Sequence, residues 1–166
     1  HKLAADEYLL PGYVDLHVHA PQWPQAGLSL DLPLADWLNH YTFPLEQKCL
    51  DLDYSKTIYN SLVKELLSQG TTTALMFGTI YNDSNIILAK SCLEYGLRGF
   101  IGQVAMDNAD QTPAYYRNQS AKDAVDATEL FIKQLQNLSS DADRVVPVIT
   151  PRFVPSCSDA CLQGLG

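Results

Sequence analysis

Positive charge is scarce in this chain. Eleven lysines and arginines stand against nineteen aspartates and glutamates, a formal net charge of −8. No run of five like charges and no basic helix occurs, which argues against nucleic acid or any other polyanion as a partner. Long apolar runs are missing too: none approaches the roughly 20 residues of a membrane span. The opening His1-Lys-Leu-Ala-Ala-Asp-Glu7 lacks the charged-then-apolar pattern of a secretory signal. It also lacks an initiator methionine, so the chain is expected to be a piece of a longer one. No Gly-x-Gly-x-x-Gly follows the first apolar stretch and no Gly-Lys-Ser/Thr occurs, which removes the main support for dinucleotide and P-loop chemistry. The four cysteines, Cys49, Cys92, Cys157 and Cys161, form no Cys-x-x-Cys pair. Cys157 and Cys161, four apart, either share a metal or, with no second Cys or His pair nearby, are reduced structural thiols; the latter reading places the protein in the cytosol. Asn-x-Ser triplets begin at Asn82, Asn118 and Asn137, a pattern too common by chance to decide anything.

What is present is an ordinary globular composition, 46% hydrophobic and 18% charged over 166 residues, enough for one domain with a real core. Residues 1–10 read as an extended lead-in, and Pro11-Gly12 turns into an apolar, buried strand over Tyr13–His19. Ala20 to Leu34, with three prolines and one glycine, is expected as a long loop. Leu34, Trp37, Leu38 and Tyr41 share one face of a short helix, off which His40 falls as a surface residue. Ser55 is expected to cap a helix whose stripe is Ile58, Leu62, Leu66 and Leu67, with Gly70 as its stop. Thr71 to Phe77 reads as a strand covered on both sides, Asp83 or Ser84 as the cap of the next helix, and Gly96 to Ala105 as a third strand whose glycines mark close helix contact or a bend. The acids of Met106-Asp-Asn-Ala-Asp110 are site groups or helix-entry turns, with turns favoured. Ser120-Ala-Lys-Asp123 resembles a capping box ahead of a long helix. Arg144 to Thr150 is the fourth strand, in which Pro147 removes one ladder donor, and Ser156 or Ser158 opens a last helix.

The order βαβαβαβα, with helices long enough for right-handed crossovers, predicts a parallel α/β sheet, either doubly wound or part of a barrel. Four βα units are half of a (β/α)₈ barrel and fall short of the roughly 250 residues such a barrel takes. Two unpaired sheet edges would then make the isolated unit aggregate, swap or pair with its missing half.

The chemistry gathers where strands end. His17 and His19 close the first strand on one face, because strand side chains repeat every two residues. Two neutral imidazoles there either share one divalent ion, zinc or iron, or are ordinary partly buried histidines. Asp15, on the same face, either holds a ligating ring in its tautomer or bonds the neighbouring backbone. Gln22 presents an amide with both donor and acceptor, as a purine edge requires, although a loop Gln is more commonly just solvated. Arg152 closes the fourth strand with a planar fork of donors suited to a carbonyl and ring nitrogen, or pairs an acid there, and Phe153 beside it can stack on a ring.

Pro11-Gly-(apolar)-(apolar)-Asp15-x-His17-x-His19 resembles the first barrel strand of the amidohydrolase superfamily. His17-Val-His-Ala-Pro-Gln22, Asp31-Leu-Pro-Leu-Ala-Asp-Trp-Leu38, Tyr41-Thr-Phe-Pro-Leu-Glu46, Thr150-Pro-Arg-Phe153 and Ser156-Cys-Ser158 are similar, in order and spacing, to guanine deaminases within it. The resemblance runs over nearly the whole chain. It implies the first half of a (β/α)₈ TIM-type metal-dependent hydrolase barrel, with residues 11–166 as its first four βα units. It implies a zinc-activated water that converts guanine to xanthine and ammonia, in a cytoplasmic homodimer. His17 and His19 would hold the metal, with His19, Gln22, Arg152 and Phe153 around the substrate. The family's remaining ligands, two histidines and an aspartate, and its acid/base glutamate fall beyond Gly166. The 166-residue chain alone is therefore expected to bind metal weakly and turn nothing over. Two other readings stay open: a different amidohydrolase acting on an aminopurine, pyrimidine or triazine, and a non-catalytic assembly protein on the same barrel, against which the retained His17 and His19 speak.

Overall fold

The computed structural model describes residues 2–138 and 144–166; the Asn137 triplet ends on Ser139, outside them. Four parallel strands stand in sequence order: β1 (Tyr13–His19), β2 (Thr71–Phe77), β3 (Arg98–Ala105) and β4 (Val145–Pro151). Between β1 and β2 come a 3₁₀ turn over Ala20–Gln25, a helical stretch made of α1 (Leu34–Trp37), a π turn at Leu38–Thr42 and α2 (Phe43–Gln47), and then α3 (Leu52–Ser68). Helices α4 (Asn82–Tyr95) and α5 (Ala121–Gln136) join the later strands, and α6 (Asp159–Leu165) follows β4. The expected βα alternation and parallel sheet are both present. Residues 2–10 are exposed, with a single turn at 4–7 closed by Glu7 N donating to Ala4 O.

The core lies between the sheet and α3, α4 and α5. Ala74 and Met76 of β2, Ile101 of β3 and Val145 of β4 pack against Ile58, Leu62, Leu88 and Phe131, each large side chain contributing on the order of 1.5–3 kcal/mol by leaving water. Gly99 is where α4 presses on β3: a Cβ there would lie 3.1 Å from Cys92 Sγ. Gly70 and Gly96 end α3 and α4 in the left-handed region, at φ 87° and 86°, where side chains with a Cβ are strained.

Several local expectations are corrected. The first strand is not buried, since Tyr13, Val14 and Leu16 are 59–68% exposed. The cause is position: among the described residues β1 is an edge strand, paired with β2 alone. Ser55 and Ser84 do not cap helices. Their hydroxyls meet at 3.0 Å inside the α3–α4 contact, where Tyr59 Oη also reaches Ser84, and Asp51 caps α3 instead by accepting from Asp53 N and Tyr54 N. Ser120 caps α5 as expected, but Asp123 reaches back to Gln119 N. Ser158 caps α6. The acid Asp107 accepts from Ser158 N and Oγ, which makes it a loop-to-helix tie, as the turn reading had it. Pro147 is accommodated in an edge strand. The helix begun at Leu34 does not stop near Tyr41; it widens into the π turn just before Pro44, which has no N–H to give His40 O and whose ring would clash with it.

Candidate functional site at the carboxyl end of the sheet

His17 and His19 project side by side from the end of β1, ring centroids 5.0 Å apart at 70°. Phe77, paired with His19 across β1 and β2, stacks on His19 at 4.9 Å and lies 5.1 Å from His17. His19 Nδ1 is buried without a hydrogen-bond partner among the described residues. Burial, and then the Arg152 cation, lower the pKa of His19 to about 4, against an opposing pull from Glu46. The ring is therefore neutral with a lone pair to offer. Two imidazoles at this spacing, one with an orphaned nitrogen, fit half of a metal shell. Asp15 Oδ1 accepts from His17 N at 3.0 Å, so it steadies the backbone of the strand end. His40 is exposed, as expected of a surface residue, and all four cysteines are free and buried. No group of three His, Cys, Asp or Glu able to hold an ion occurs among the described residues.

The 3₁₀ turn that begins at Ala20 brings Gln22 over the same end of the sheet. The turn is pinned by Gln25 Nε2 donating to Thr42 Oγ1 at 2.8 Å and Trp23 Nε1 to Ser61 Oγ at 3.1 Å. Arg152 arrives from the other side of the sheet, its N–H held by Ala105 O at the end of β3. Both residues converge on Glu46, which sequence reading assigned no role. Arg152 donates to it through Nη1 at 2.5 Å and Nη2 at 3.0 Å, and Gln22 through Nε2 at 2.8 Å. Glu46 is fully buried, and the Arg152 side chain is 6% exposed. Burial opposes the charge of Arg152; the Glu46 carboxylate more than offsets it. The alternative of an acid partner for Arg152 is thus the one observed, and it coexists with a place on the cavity wall.

Phe43, on the same face of α2 as Glu46, lies beneath the guanidinium at 5.1 Å. Tyr116 backs Phe43 at 6.2 Å; its hydroxyl is buried with no hydrogen-bond partner among the described residues, and burial followed by the Glu46 charge holds it well above the usual tyrosine range. Neither residue was singled out from sequence, and a lone aromatic in a helix or loop carries no local signal.

His17, His19, Gln22, Arg152 and Phe153 all line one cavity of about 310 Å³, at the small end of ligand sites. Leu34, Trp37 and Leu38 form its apolar side. Of the apolar face predicted for the first helix, Leu34, Trp37 and Leu38 line this cavity while Leu38 also packs against the cluster of Phe43, Val104, Met106 and Tyr116, and Leu34 stays 63% exposed. Phe153, half exposed, stands free beside Arg152.

The amidohydrolase family model matches residues 8–165. Over 165 residues the chain is 42% identical to the guanine deaminase of Mus musculus, covering 99% of this chain and 36% of that protein. Over 166 residues it is 40% identical to a probable guanine deaminase of Schizosaccharomyces pombe, covering 100% of this chain and 31% of that protein. Among solved structures, the guanine deaminase of C. acetobutylicum with guanine bound in its active site superposes with a TM-score of 0.85 at 39% identity, over 93% of this chain and 36% of that one. The E. coli guanine deaminase gives 0.79 at 33%, over 93% and 33%. The chain spans about a third of the length of the curated relatives it matches. Its parallel sheet with alternating helices matches the N-terminal half of the TIM barrel in such structures.

Proposed function

Because this chain belongs to the amidohydrolase family, matched over residues 8–165, we propose that the complete protein containing it deaminates guanine hydrolytically to xanthine and ammonia. The observation that carries the reading is the convergence of His17, His19, Gln22, Arg152 and Phe153 on one cavity at the carboxyl end of the strands, the end of such sheets where chemistry collects.

In this reading His17 and His19 hold a divalent ion, zinc being the choice that suits two imidazoles. When bound, the ion supplies Lewis acidity and a nucleophilic water at neutral pH. Arg152 offers donors to the carbonyl and ring nitrogens of the purine, Gln22 offers an amide, and Phe153 stacks on the ring. Trp37 and Leu38 keep bulk water from that side of the cavity. Glu46 is not the proton shuttle: both of its oxygens accept from Arg152 and Gln22. We assign the general acid and base to no residue of this chain. The buried free thiols support the cytosol as the compartment; a homodimer rests on the family resemblance alone.

The test is turnover of guanine against adenine and cytosine by the complete protein. Xanthine and ammonia in equal amounts from guanine, with the other two bases unchanged, is the expected result. Preference for adenine or cytosine would assign the site to another amidohydrolase.

A further inference from the structure

We propose that Glu46 is a positioning residue that sets the hydrogen-bond pattern of the cavity, fixing Gln22 with its acceptor and Arg152 with its remaining donors toward a purine lactam edge. This rests on the guanine deaminase reading and deepens it.

The geometry leaves little choice. Both Glu46 oxygens accept from the Arg152 guanidinium, and a carboxylate in such a bidentate pair offers no donor. Gln22 must therefore give Glu46 its amide nitrogen, as it does at 2.8 Å, and Gln22 Oε1 is the end left over. An amide on a loop ordinarily turns either way; this one is held by a buried charge. Arg152 commits one N–H of Nη1 and one of Nη2 to the same carboxylate, which leaves about three of a guanidinium's five donors. Phe43, three residues before Glu46 on α2, fixes the plane of the guanidinium from beneath. One short helix thus places a donor face and an acceptor at set positions. A ring carbonyl beside an N–H, the lactam edge of guanine, complements that pair. The amine beside a bare ring nitrogen in adenine inverts it.

The proposal is tested in the complete protein with E46Q and E46D, at matched ion content. Glutamine at position 46 keeps the shape but can donate to Gln22 Oε1, so the Gln22 amide is free to turn its nitrogen into the cavity. Expected for E46Q is a rise of about 100-fold in KM for guanine, the scale of a small misplacement of a binding group, with kcat per active chain nearly unchanged and the inhibition constant of xanthine rising in step. E46D keeps a counter-charge for Arg152 but withdraws it by one methylene, so it shifts KM less and in the same direction; if E46Q does not fold, E46D decides. A merely structural Glu46 would lower the active fraction and leave KM and xanthine inhibition where they were, and that result overturns the proposal alone. A wild-type protein that leaves guanine untouched overturns the deaminase reading, and this proposal with it.

Discussion

Arg152 and Glu46, 106 positions apart in sequence, form a bidentate ion pair at 2.5 and 3.0 Å with both side chains shut off from solvent. The pair ties the residue just after β4 to α2, and Arg152 also lines the candidate cavity, so the fold and the candidate site share one electrostatic joint.

Removing the acid alone should therefore be costly for stability. Glu46→Ala leaves a buried guanidinium uncompensated, which typically costs about 3–5 kcal/mol. Denaturant unfolding of the complete protein checks it; a loss under about 1 kcal/mol would mean that Arg152 finds water or another acceptor. The exposed Lys122–Asp126 pair on α5 should show no measurable loss when broken, as surface pairs commonly do not.

The β3–β4 contact is tight at one residue. A Cβ on Gly102 would lie 2.1 Å from Thr150 Oγ1 and 2.7 Å from Thr150 Cβ, so rotating the threonine cannot relieve the clash. Gly102→Ala should cost about 1–3 kcal/mol as an overpacked site. Thr150 stands two residues before Arg152, so KM for guanine should rise as well. Steady-state kinetics beside thermal unfolding read both effects, and an alanine variant with wild-type values for each would contradict the packing described.

Burial raises the pKa of the Cys92 thiol from 9.0 to about 12. The unfolded chain releases this proton at lower pH than the folded one, so its contribution to stability is intact below about pH 9 and is lost progressively as pH rises toward 12. The limiting slope is about 1.4 kcal/mol per pH unit. The buried phenols of Tyr59 and Tyr116, also raised by burial, act in the same sense. Unfolding free energy measured between about pH 8 and pH 10.5 should fall, and fall less steeply in Cys92→Ala. Equal slopes in the two proteins would contradict a buried, protonated thiol.

The fold was legible where a signal is local and repeated. Apolar and β-branched runs between turn signals placed all four strands, and the 3.6-residue spacing placed the long helices; His17, His19, Gln22, Arg152 and Phe153, drawn from separate motifs, line one cavity. Illegible parts depend on partners far away in sequence. Glu46 is one acid in a short helix, and its meaning comes from residues 24 and 106 positions distant. The exposure of β1 follows from its pairing, among the described residues, with β2 alone, which no pattern within Tyr13–His19 encodes. Ser55 and Ser84 both looked like caps, because the cap rule is local; the hydroxyls are used across a helix contact.

In the proposed function, β1 carries the metal end of a guanine-deaminating cavity. Elemental analysis of the complete protein and of a His17→Ala/His19→Ala variant, each assayed in parallel for xanthine formation from guanine, tests it most directly. About one divalent ion per chain in the wild type, lost together with xanthine formation in the double variant, is the predicted result. A variant that keeps its ion, or one that still makes xanthine without it, would contradict the account.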